Sequence, residues 1–476
     1  MTGFCSVRSP SRHGGVFGAN PGAGSSERED QGARVRCVHT AWGGVLAVPG
    51  LSPAAPRGIW SNRGFRRYWA AQAVSMAGDH ITAIAIPVLA VTVLHAGAEE
   101  MGVLTAAGQL PLLLFGLLAG AWVDRVRRRR LLIGCDLARA ALIVLIPVIY
   151  IADALTMPLL ISVAFAAAAL GVAFNMAAVA FLPSLVARDN LIEANTRITQ
   201  TRAVGQIAGP GLAGVVVQTL TAPIAILLDA GSYVLSAVLL RRTGLNDPKT
   251  TEQHHPKLAT AVIEGLKYVW ANGLLRPSAA CAATYNLFNA AFVALQILYL
   301  SRHLQLNATE IGLVLAAIGP GALVGSALAI TASRRLGIGF TMIAGLLITS
   351  LANVAVPLAA GPHVLMLAML MAAMFLNGFG QPLYNINQGS LRQAIVPLPM
   401  QGRVQATLAV LASGAAPLGA LAGGFLGARL GEQSALLIAA AGTTLACGWL
   451  ICSPIRTQKE LPSTETTTAP DQPTAA

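Results

Sequence analysis

The stretch from Gly116 to Arg130 (GLLAGAWVDRVRRRR) places a dense cluster of charge between two apolar segments of the chain. Lipid hydrocarbon cannot solvate Asp124 or the five arginines that follow it, so the cluster must lie in water between two membrane spans. Because clustered arginine favours the cytoplasmic side of a bilayer, the same residues also predict an orientation.

The composition of the whole chain supports a membrane protein. Hydrophobic residues make up 55% of the 476 residues, charged residues only 11%, and the mean hydropathy is +0.63. A soluble domain could not carry so much apolar surface. Since a span needs roughly 20 apolar residues, we predict an all-α membrane protein with twelve transmembrane helices, at about 68–94, 101–122, 131–151, 157–182, 199–220, 223–240, 277–300, 309–332, 336–359, 363–388, 404–427 and 432–452.

Basic residues are distributed unequally between the two sets of loops that these spans create. Segments on the side of Arg63 hold 23 Lys and Arg residues, whereas the other side holds only Arg302 and Arg429. The positive-inside rule therefore places both termini in the cytoplasm. The bias also accounts for the net charge of +12, so we expect no nucleic-acid partner.

The segments outside the spans define the domain organisation. Residues 1–62 and 453–476 resemble disordered tails, and Val45–Leu51 is too short for a signal-peptide core. Residues 63–240 and 277–452 form two six-helix halves, joined by a cytoplasmic linker, 241–276. Its Leu258, Val262, Leu266 and Trp270 recur every four residues, which predicts a short helix on the membrane surface. Six cysteines form no CxxC pair, and we expect no metal and no cofactor.

The two halves carry similar glycine motifs. Gly116-xxx-Gly120 matches Gly321-xxx-Gly325 at an offset of 205, and Gly209-Pro210 matches Ala416-Pro417 at 207. Similar offsets indicate a duplicated six-helix unit. Small residues let helices approach closely, and we assign close helix packing to Gly205, Gly209, Pro210, Gly214, Gly419 and Gly423.

Four stretches resemble the major facilitator superfamily. Gly120-x-x-x-Asp124-Arg125-x-x-Arg128-Arg129 is similar to its signature between helices 2 and 3, with Arg127 in place of the usual glycine, and the second half lacks the aspartate. Gly205–Gly214 is similar to the motif of the exporters. Phe65–Asp79 and Pro397–Val404 resemble the branch of the enterobactin exporter and the macrolide efflux proteins. The resemblance implies two halves that rock about a central site, with helices 1, 4, 7 and 10 lining the cavity.

The resemblance also assigns roles to residues of this chain. The helix 2–3 signature implies a gating latch, and we place Asp136 and Arg139 in the same network, which gives Gly120, Asp124, Arg125, Arg128, Arg129, Asp136 and Arg139. Polar side chains on the four expected spans are candidates for the substrate cavity: Gln72, Ser75, Thr82, Asn175, Tyr285, Asn289, Gln296, Asn377, Gln381, Tyr384 and Asn385. The alternative is that these amides and hydroxyls only hold helices together.

Two aspartates lie well inside predicted spans. A carboxylate near the bilayer centre costs roughly 2.5–3.5 kcal/mol to insert, so Asp79 and Asp229 need a reason to be there. We predict that they couple transport to protons. The alternative is a carboxyl group that merely hydrogen-bonds to a neighbouring helix.

These features together predict a secondary transporter of the bacterial inner membrane. We expect a monomer in the lipid bilayer that exports an amphipathic small molecule, such as a drug, a macrolide-like compound or a siderophore, in exchange for protons by alternating access. Proton-coupled uptake of a small metabolite and a non-transporting sensor remain alternatives. No GxxxxGK[ST], HExxH or GxSxG motif occurs, so neither an ATP-driven pump subunit nor a membrane enzyme is indicated.

Overall fold

The computed structural model of this chain consists of helices and short connections throughout the residues it describes, 59–123, 126–244 and 258–460. For 117–123, 258–262 and 398–399 only the backbone is described. The α-helices are α1 (Arg63–Thr92), α2 (Ala98–Val123), α3 (Arg128–Ile151), α4 (Met157–Leu185), α5 (Leu191–Leu220), α6 (Ala222–Arg241), α7 (Leu258–Ala271), α8 (Leu275–Leu298), α9 (Ala308–Ala316), α10 (Ile318–Leu336), α11 (Ile338–Ala355), α12 (His363–Ile395), α13 (Leu398–Leu430) and α14 (Glu432–Ile451).

The number of membrane-spanning segments agrees with the sequence. Within the described ranges, eleven segments are long and apolar enough to cross a bilayer. One of them combines α9 and α10, because the backbone between them at Ala317 remains in the helical region. The 26-residue α2, apolar in sequence, is the twelfth. Large apolar side chains such as Val179, Phe340 and Leu445 are exposed on the outside of the bundle, as a lipid-facing surface requires. The predicted all-α membrane fold is confirmed.

Consecutive spans run in opposite directions and define two faces of the bundle. We call the face where α1 begins and α14 ends the terminal face, and the other the opposite face. At the terminal face, the Asn62 side chain accepts hydrogen bonds from the amides of Gly64 and Phe65 and caps α1. Its own amide donates to the carbonyl of Leu185, at 2.7 Å. This cap starts α1 five residues before the predicted span, because helix hydrogen bonding continues beyond the apolar segment.

Equivalent helices of the two halves are 210 residues apart. Both ends of α6 (Ala222–Arg241) and α14 (Glu432–Ile451) differ by this offset, as do the starts of α2 (Ala98) and α9 (Ala308). A one-residue turn precedes each of α6 and α14, and Thr221 (φ 69°) in the first half corresponds to Gly431 (φ 85°) in the second. The pseudo-symmetric halves are therefore present.

The register taken from the glycine motifs, however, differs by three to five residues, about one helical turn. Gly321 packs against the backbone of Phe375 on α12, whereas Gly116 meets only Leu112 of its own helix. These two glycines therefore do not occupy equivalent positions. A GxxxG spacing repeats along a helix face, so it identifies a close contact without fixing its register.

The two halves are joined by an apolar core near the opposite face. This core includes Leu89 of α1, Met101 of α2, Val217 of α5, Leu295 of α8 and Ile311 of α9. Toward the terminal face the buried clusters divide, one within 59–240 and another within 274–455. The halves are therefore packed together at the opposite face and separated by cavities nearer the terminal face.

Two pairs of glycines bring the backbones of the two halves together near the opposite face. Gly102 of α2 meets Gly424 of α13, and Gly214 of α5 meets Gly312 of α9. A Cβ atom built on Gly312 would lie 2.7 Å from the Gly214 Cα atom, and one on Gly102 would lie 2.8 Å from the Gly424 Cα atom. We call these two contacts the glycine seams. They are equivalent under the 210-residue offset.

The segments outside the spans are partly described. α7 packs against α13 through the buried Val269, and Glu264 forms an ion pair with Arg403 of α13. Its Leu266 and Trp270 are exposed. Most of the predicted tails lies outside the described residues. Residues 453–460, which we had placed in the C-terminal tail, pack on the start of α11 instead: Ile455 is fully buried, and the carbonyl of Gln458 accepts from the amide of Gly339.

Candidate proton and cargo sites

A cluster of buried charge lies between α1, α3 and α6 in the first half. The Arg139 guanidinium donates to Asp79 Oδ1 at 2.5 Å, and the Tyr233 hydroxyl donates to the same oxygen at 2.5 Å. The guanidinium carbon also lies 4.1 Å from the centre of the Tyr233 ring. Asp79 is thus held by one cation and one hydroxyl from two different helices.

The second predicted aspartate belongs to the same cluster. Asp229 of α6 is fully buried, and its two oxygens accept hydrogen bonds from Thr82 of α1 and from Ser232, the latter at 3.0 Å. Gly78 makes room for it, because a Cβ atom there would lie 2.1 Å from Asp229 Oδ1. The sequence Gly78-Asp79 therefore lets α1 approach α6 while presenting a carboxylate to α3.

The structure also brings Asp136 and Arg139 to this cluster. We had expected both in the latch near the helix 2–3 loop. Arg139 lies eleven residues beyond the start of α3 at Arg128, about 17 Å along the helix axis, so it contacts Asp79 in the middle of the bundle. Asp136 is fully buried, and neither of its carboxylate oxygens has a hydrogen-bond partner.

The latch is described only in part. Gly120 lies within the backbone of α2, while Asp124 and Arg125 lie outside the described residues. Arg128 donates to the carbonyl of Ala180 on α4 at 2.8 Å, and Arg129 donates to that of Leu240 at 3.1 Å. The Leu240 carbonyl belongs to the last turn of α6, where a cation interacts favourably with the helix dipole.

The largest group of predicted cavity residues lies in the second half. A cavity of about 280 Å³ is bounded by α8, α11, α12 and α13. Its polar lining consists of Tyr285, Asn286, Thr349, Gln381, Tyr384, Asn385, Gln388, Arg392 and Gln405. The Tyr285 hydroxyl donates to the Gln381 side chain at 3.3 Å, whereas the buried Tyr384 hydroxyl has no hydrogen-bond partner. We call this the C-half cavity.

A second cavity, of about 430 Å³, lies between the two halves. Its polar lining is Gln109, Asn175, Asn286 and Ser413, from α2, α4, α8 and α13. Asn175 is therefore the one predicted residue of the first half that lines a cavity found among the described residues. Asn286 borders both cavities. Neither cavity lining contains an Asp or Glu residue.

Five other predicted cavity residues lie in helix contacts. Gln72 donates to the Tyr68 hydroxyl at 3.0 Å, Asn377 to the side-chain oxygen of Asn353 at 2.8 Å, and Gln296 to the Met374 sulfur at 3.4 Å. Ser75 is buried, and Thr82 is bonded to Asp229. Asn289 belongs to neither cavity lining. For these side chains the helix-holding alternative describes the geometry better.

The predicted packing residues do lie against neighbouring helices. A Cβ atom on Gly209 would lie 2.5 Å from the His80 ring, and Gly205 faces the same ring. Gly419 and Gly423 lie against Leu287 and Ala291 of α8. The carbonyl of Pro210 borders the Gly214–Gly312 seam.

Sequence reasoning missed several residues of both sites. Tyr233 gave no signal, since one tyrosine in an apolar span resembles packing. Arg392 was counted only as a basic residue of a cytoplasmic loop. Its spacing of four from Gln388 and seven from Asn385 could have placed it on the same helix face.

Two six-helix halves, a cavity lined by amides and a buried charge cluster define a membrane transporter of the major facilitator type. The family model described as "transmembrane secretion effector", a major facilitator family, matches residues 52–475, and this chain belongs to that family. It is 30% identical over 372 residues to the multidrug efflux pump Tap of Mycolicibacterium fortuitum, covering 76% of this chain and 88% of that one.

Other proteins are similar to this chain at greater distance. The macrolide efflux protein A of Streptococcus pyogenes is 26% identical over 414 residues, covering 83% of this chain and 97% of that one. Among solved structures, a bacterial homologue of the iron transporter ferroportin in the inward-facing state matches with a TM-score of 0.64 at 17% identity. That match covers 82% of this chain and 98% of the other, and it bears on the fold alone.

Proposed function

We propose that this chain is a proton-coupled exporter of amphipathic organic compounds. The observation that carries the proposal is the separation of two sites: buried charge in α1, α3 and α6, and a largely neutral, amide-lined cavity in the second half. An antiporter needs a place where a proton and a place where cargo can bind, and it must not occlude both in one conformation. The names of the similar proteins, which are efflux pumps, support export as the direction.

We further propose that the terminal face is cytoplasmic. The 23 basic residues predicted on this side support the assignment. The glycine seams then close the periplasmic side, and the C-half cavity faces the compartment from which an exporter takes cargo. Cysteine labelling from outside the cell tests the orientation: position 99 should react and position 127 should not. Labelling at position 127 with position 99 protected would overturn it.

In the proposed coupling step, Asp79 exchanges its Arg139 partner for a proton. In the ionised form, Arg139 and Tyr233 stabilise the carboxylate across α3 and α6. Protonation removes the charge that Arg139 faces, so the contact between α1 and α3 weakens. Asp229 and Asp136 are the nearby carboxylates that compete for the same cation.

The test is uphill transport in proteoliposomes with and without an imposed pH step. Asp79→Asn mimics the permanently protonated form, so gradient-driven transport should be lost while exchange of cargo without a gradient survives. Because this variant leaves Arg139 buried without its anion, the double variant Asp79→Asn/Arg139→Gln serves as a neutral pair. Glu264→Gln removes an acid on α7, far from the cluster in sequence and paired elsewhere, and is the matched control.

The result that contradicts this assignment is full gradient dependence in Asp79→Asn. In that case Asp229→Asn should show the loss instead. Retained gradient dependence in both variants would remove proton coupling at this cluster from the proposal. Proteoliposomes of the wild type that move no amphipathic compound under any gradient would contradict the proposed transport itself.

A further inference from the structure

A cationic side chain without an anionic partner lies in the C-half cavity. Arg392, near the end of α12, lines this cavity and also an adjoining one that extends to Val396 and Gln401. Its guanidinium is half-buried and has no hydrogen bond or ion pair within the described parts of the chain. Neither cavity is lined by an Asp or Glu residue.

Other arginines in similar surroundings are paired. Arg139 is bonded to Asp79, and Arg403, at the start of α13, is bonded to Glu264. A cation that is partly removed from water gains when an anion reaches it, because the interaction strengthens as the local dielectric constant falls. Since the chain supplies no anion in these cavities, the site suits one that comes from outside the chain.

The groups around Arg392 are suited to an oxygen-rich anion. Gln381, Asn385, Gln388 and Arg392 are spaced i, i+4, i+7 and i+11, so they share one face of α12. The Tyr384 hydroxyl beside them is buried and has no partner. A guanidinium with neighbouring amide and hydroxyl donors matches a carboxylate, sulfonate or phosphate group.

We propose that Arg392 binds an acidic group of the cargo, with the apolar body of the cargo against Leu346, Leu408 and Ala412 of the same cavity. This inference rests on the proposed export function and names its cargo class: amphipathic organic acids. It also assigns Arg392 a role in specificity, in addition to its contribution to the positive terminal face.

The experiment measures binding to the purified protein in a neutral detergent. Two pairs of fluorescent probes differ only in esterification of one carboxyl group: rhodamine 110 and its methyl ester rhodamine 123, and fluorescein and its methyl ester. The wild type should bind each acid about tenfold more tightly than its ester, as expected for a hydrogen bond to a charged group. Arg392→Gln should lose that preference and change ester binding less than about twofold. Arg392→Lys should keep part of it.

The matched control is Arg335→Gln, which removes a basic residue in the last turn of α10 that lines neither cavity. It should leave the acid preference unchanged. The proposal is overturned if the wild type does not distinguish acid from ester in either pair, or if Arg335→Gln has the same effect as Arg392→Gln.

A lipid phosphate could supply the same chemistry, so the assay is repeated with phosphatidylglycerol or phosphatidylcholine added. Arg392-dependent competition by phosphatidylglycerol would assign the site to a lipid headgroup and overturn the cargo assignment. Binding in detergent needs neither a gradient nor turnover. A failure of acid recognition is therefore distinguishable from a failure of proton-coupled export, which the proteoliposome assay detects separately.

Discussion

Substituting a glycine of the seams should shift the conformational equilibrium of the transporter. We choose Gly312→Ala, in the Gly214–Gly312 seam between α5 and α9. A Cβ atom on Gly312 would lie 2.6 Å from the Pro210 carbonyl oxygen and 2.7 Å from the Gly214 Cα atom. Both are backbone atoms, which cannot rotate away as a side chain can. The two helices must therefore separate for the variant to keep this face closed.

The size of the effect follows from these distances. Ordinary van der Waals contact begins at 3.4 Å, so α5 and α9 must move apart by about 0.8 Å. Overpacking of this kind costs about 1–3 kcal/mol. The conformation that is open at the opposite face parts these helices and avoids the cost. A difference of 1–3 kcal/mol changes the ratio of the two conformations by about 5- to 150-fold.

Spin-label distances across the opposite face measure that ratio. Labels at positions 95 and 429, both exposed and in different halves, should report a longer distance in Gly312→Ala than in the unsubstituted background. Gly102→Ala, in the equivalent seam, should shift the distribution in the same direction. Gly448→Ala is the control, because its Cβ atom would have open space around it.

Two results would refute the reasoning. An unchanged distance distribution in Gly312→Ala would show that the seam does not part during the cycle. An equal shift in Gly448→Ala would show that the label pair responds to any alanine. Thermal unfolding of each variant separates a conformational shift from a general loss of stability.

Three further substitutions test the fold and the charge cluster. Asn62→Ala removes the cap of α1 and should lower the free energy of unfolding by about 0.5–2 kcal/mol, seen as a lower Tm in detergent. Thr221→Gly should raise the Tm, since a β-branched residue at φ 69° is strained by about 1–3 kcal/mol, and an unchanged Tm would contradict this. Gly78→Ala should displace Asp229 and reduce gradient-driven transport at least about fivefold, whereas Gly134→Ala, with open space around it, should transport normally.

The fold could be predicted from sequence because the bilayer imposes simple rules. Apolar length gave the spans, and alternation of charge gave their relative directions. What the sequence could not give was the register between the halves. Glycine spacing repeats every turn, whereas the paired turns at Thr221 and Gly431 fix the offset at 210. Those turns carry different residues, so their equivalence is visible only in the backbone.

The site was predicted less completely, because polar residues in spans serve two purposes. Tyr285, Gln381, Tyr384 and Asn385 line the C-half cavity as expected, while Asn377 faces a helix contact. Asn377 and Gln381 are four residues apart on α12, so periodicity places them on one face. The small difference in angle that turns Asn377 toward Asn353 depends on how α11 packs, which the sequence does not encode locally.

The charge cluster and the glycine seams are connected through a short series of contacts. Asp79 and His80 are adjacent on α1, and Asp79 faces α3 and α6 while the His80 ring faces α5. The ring fills the space that Gly209 leaves, and Gly214, five residues along α5, forms the seam with α9. A change at Asp79 that moves α1 relative to α3 must also move His80 against Gly209. Because that contact leaves no free space, α5 has to follow, and the seam belongs to α5. Proton binding in one half can therefore bias the closure between the halves without any contact between proton and cargo.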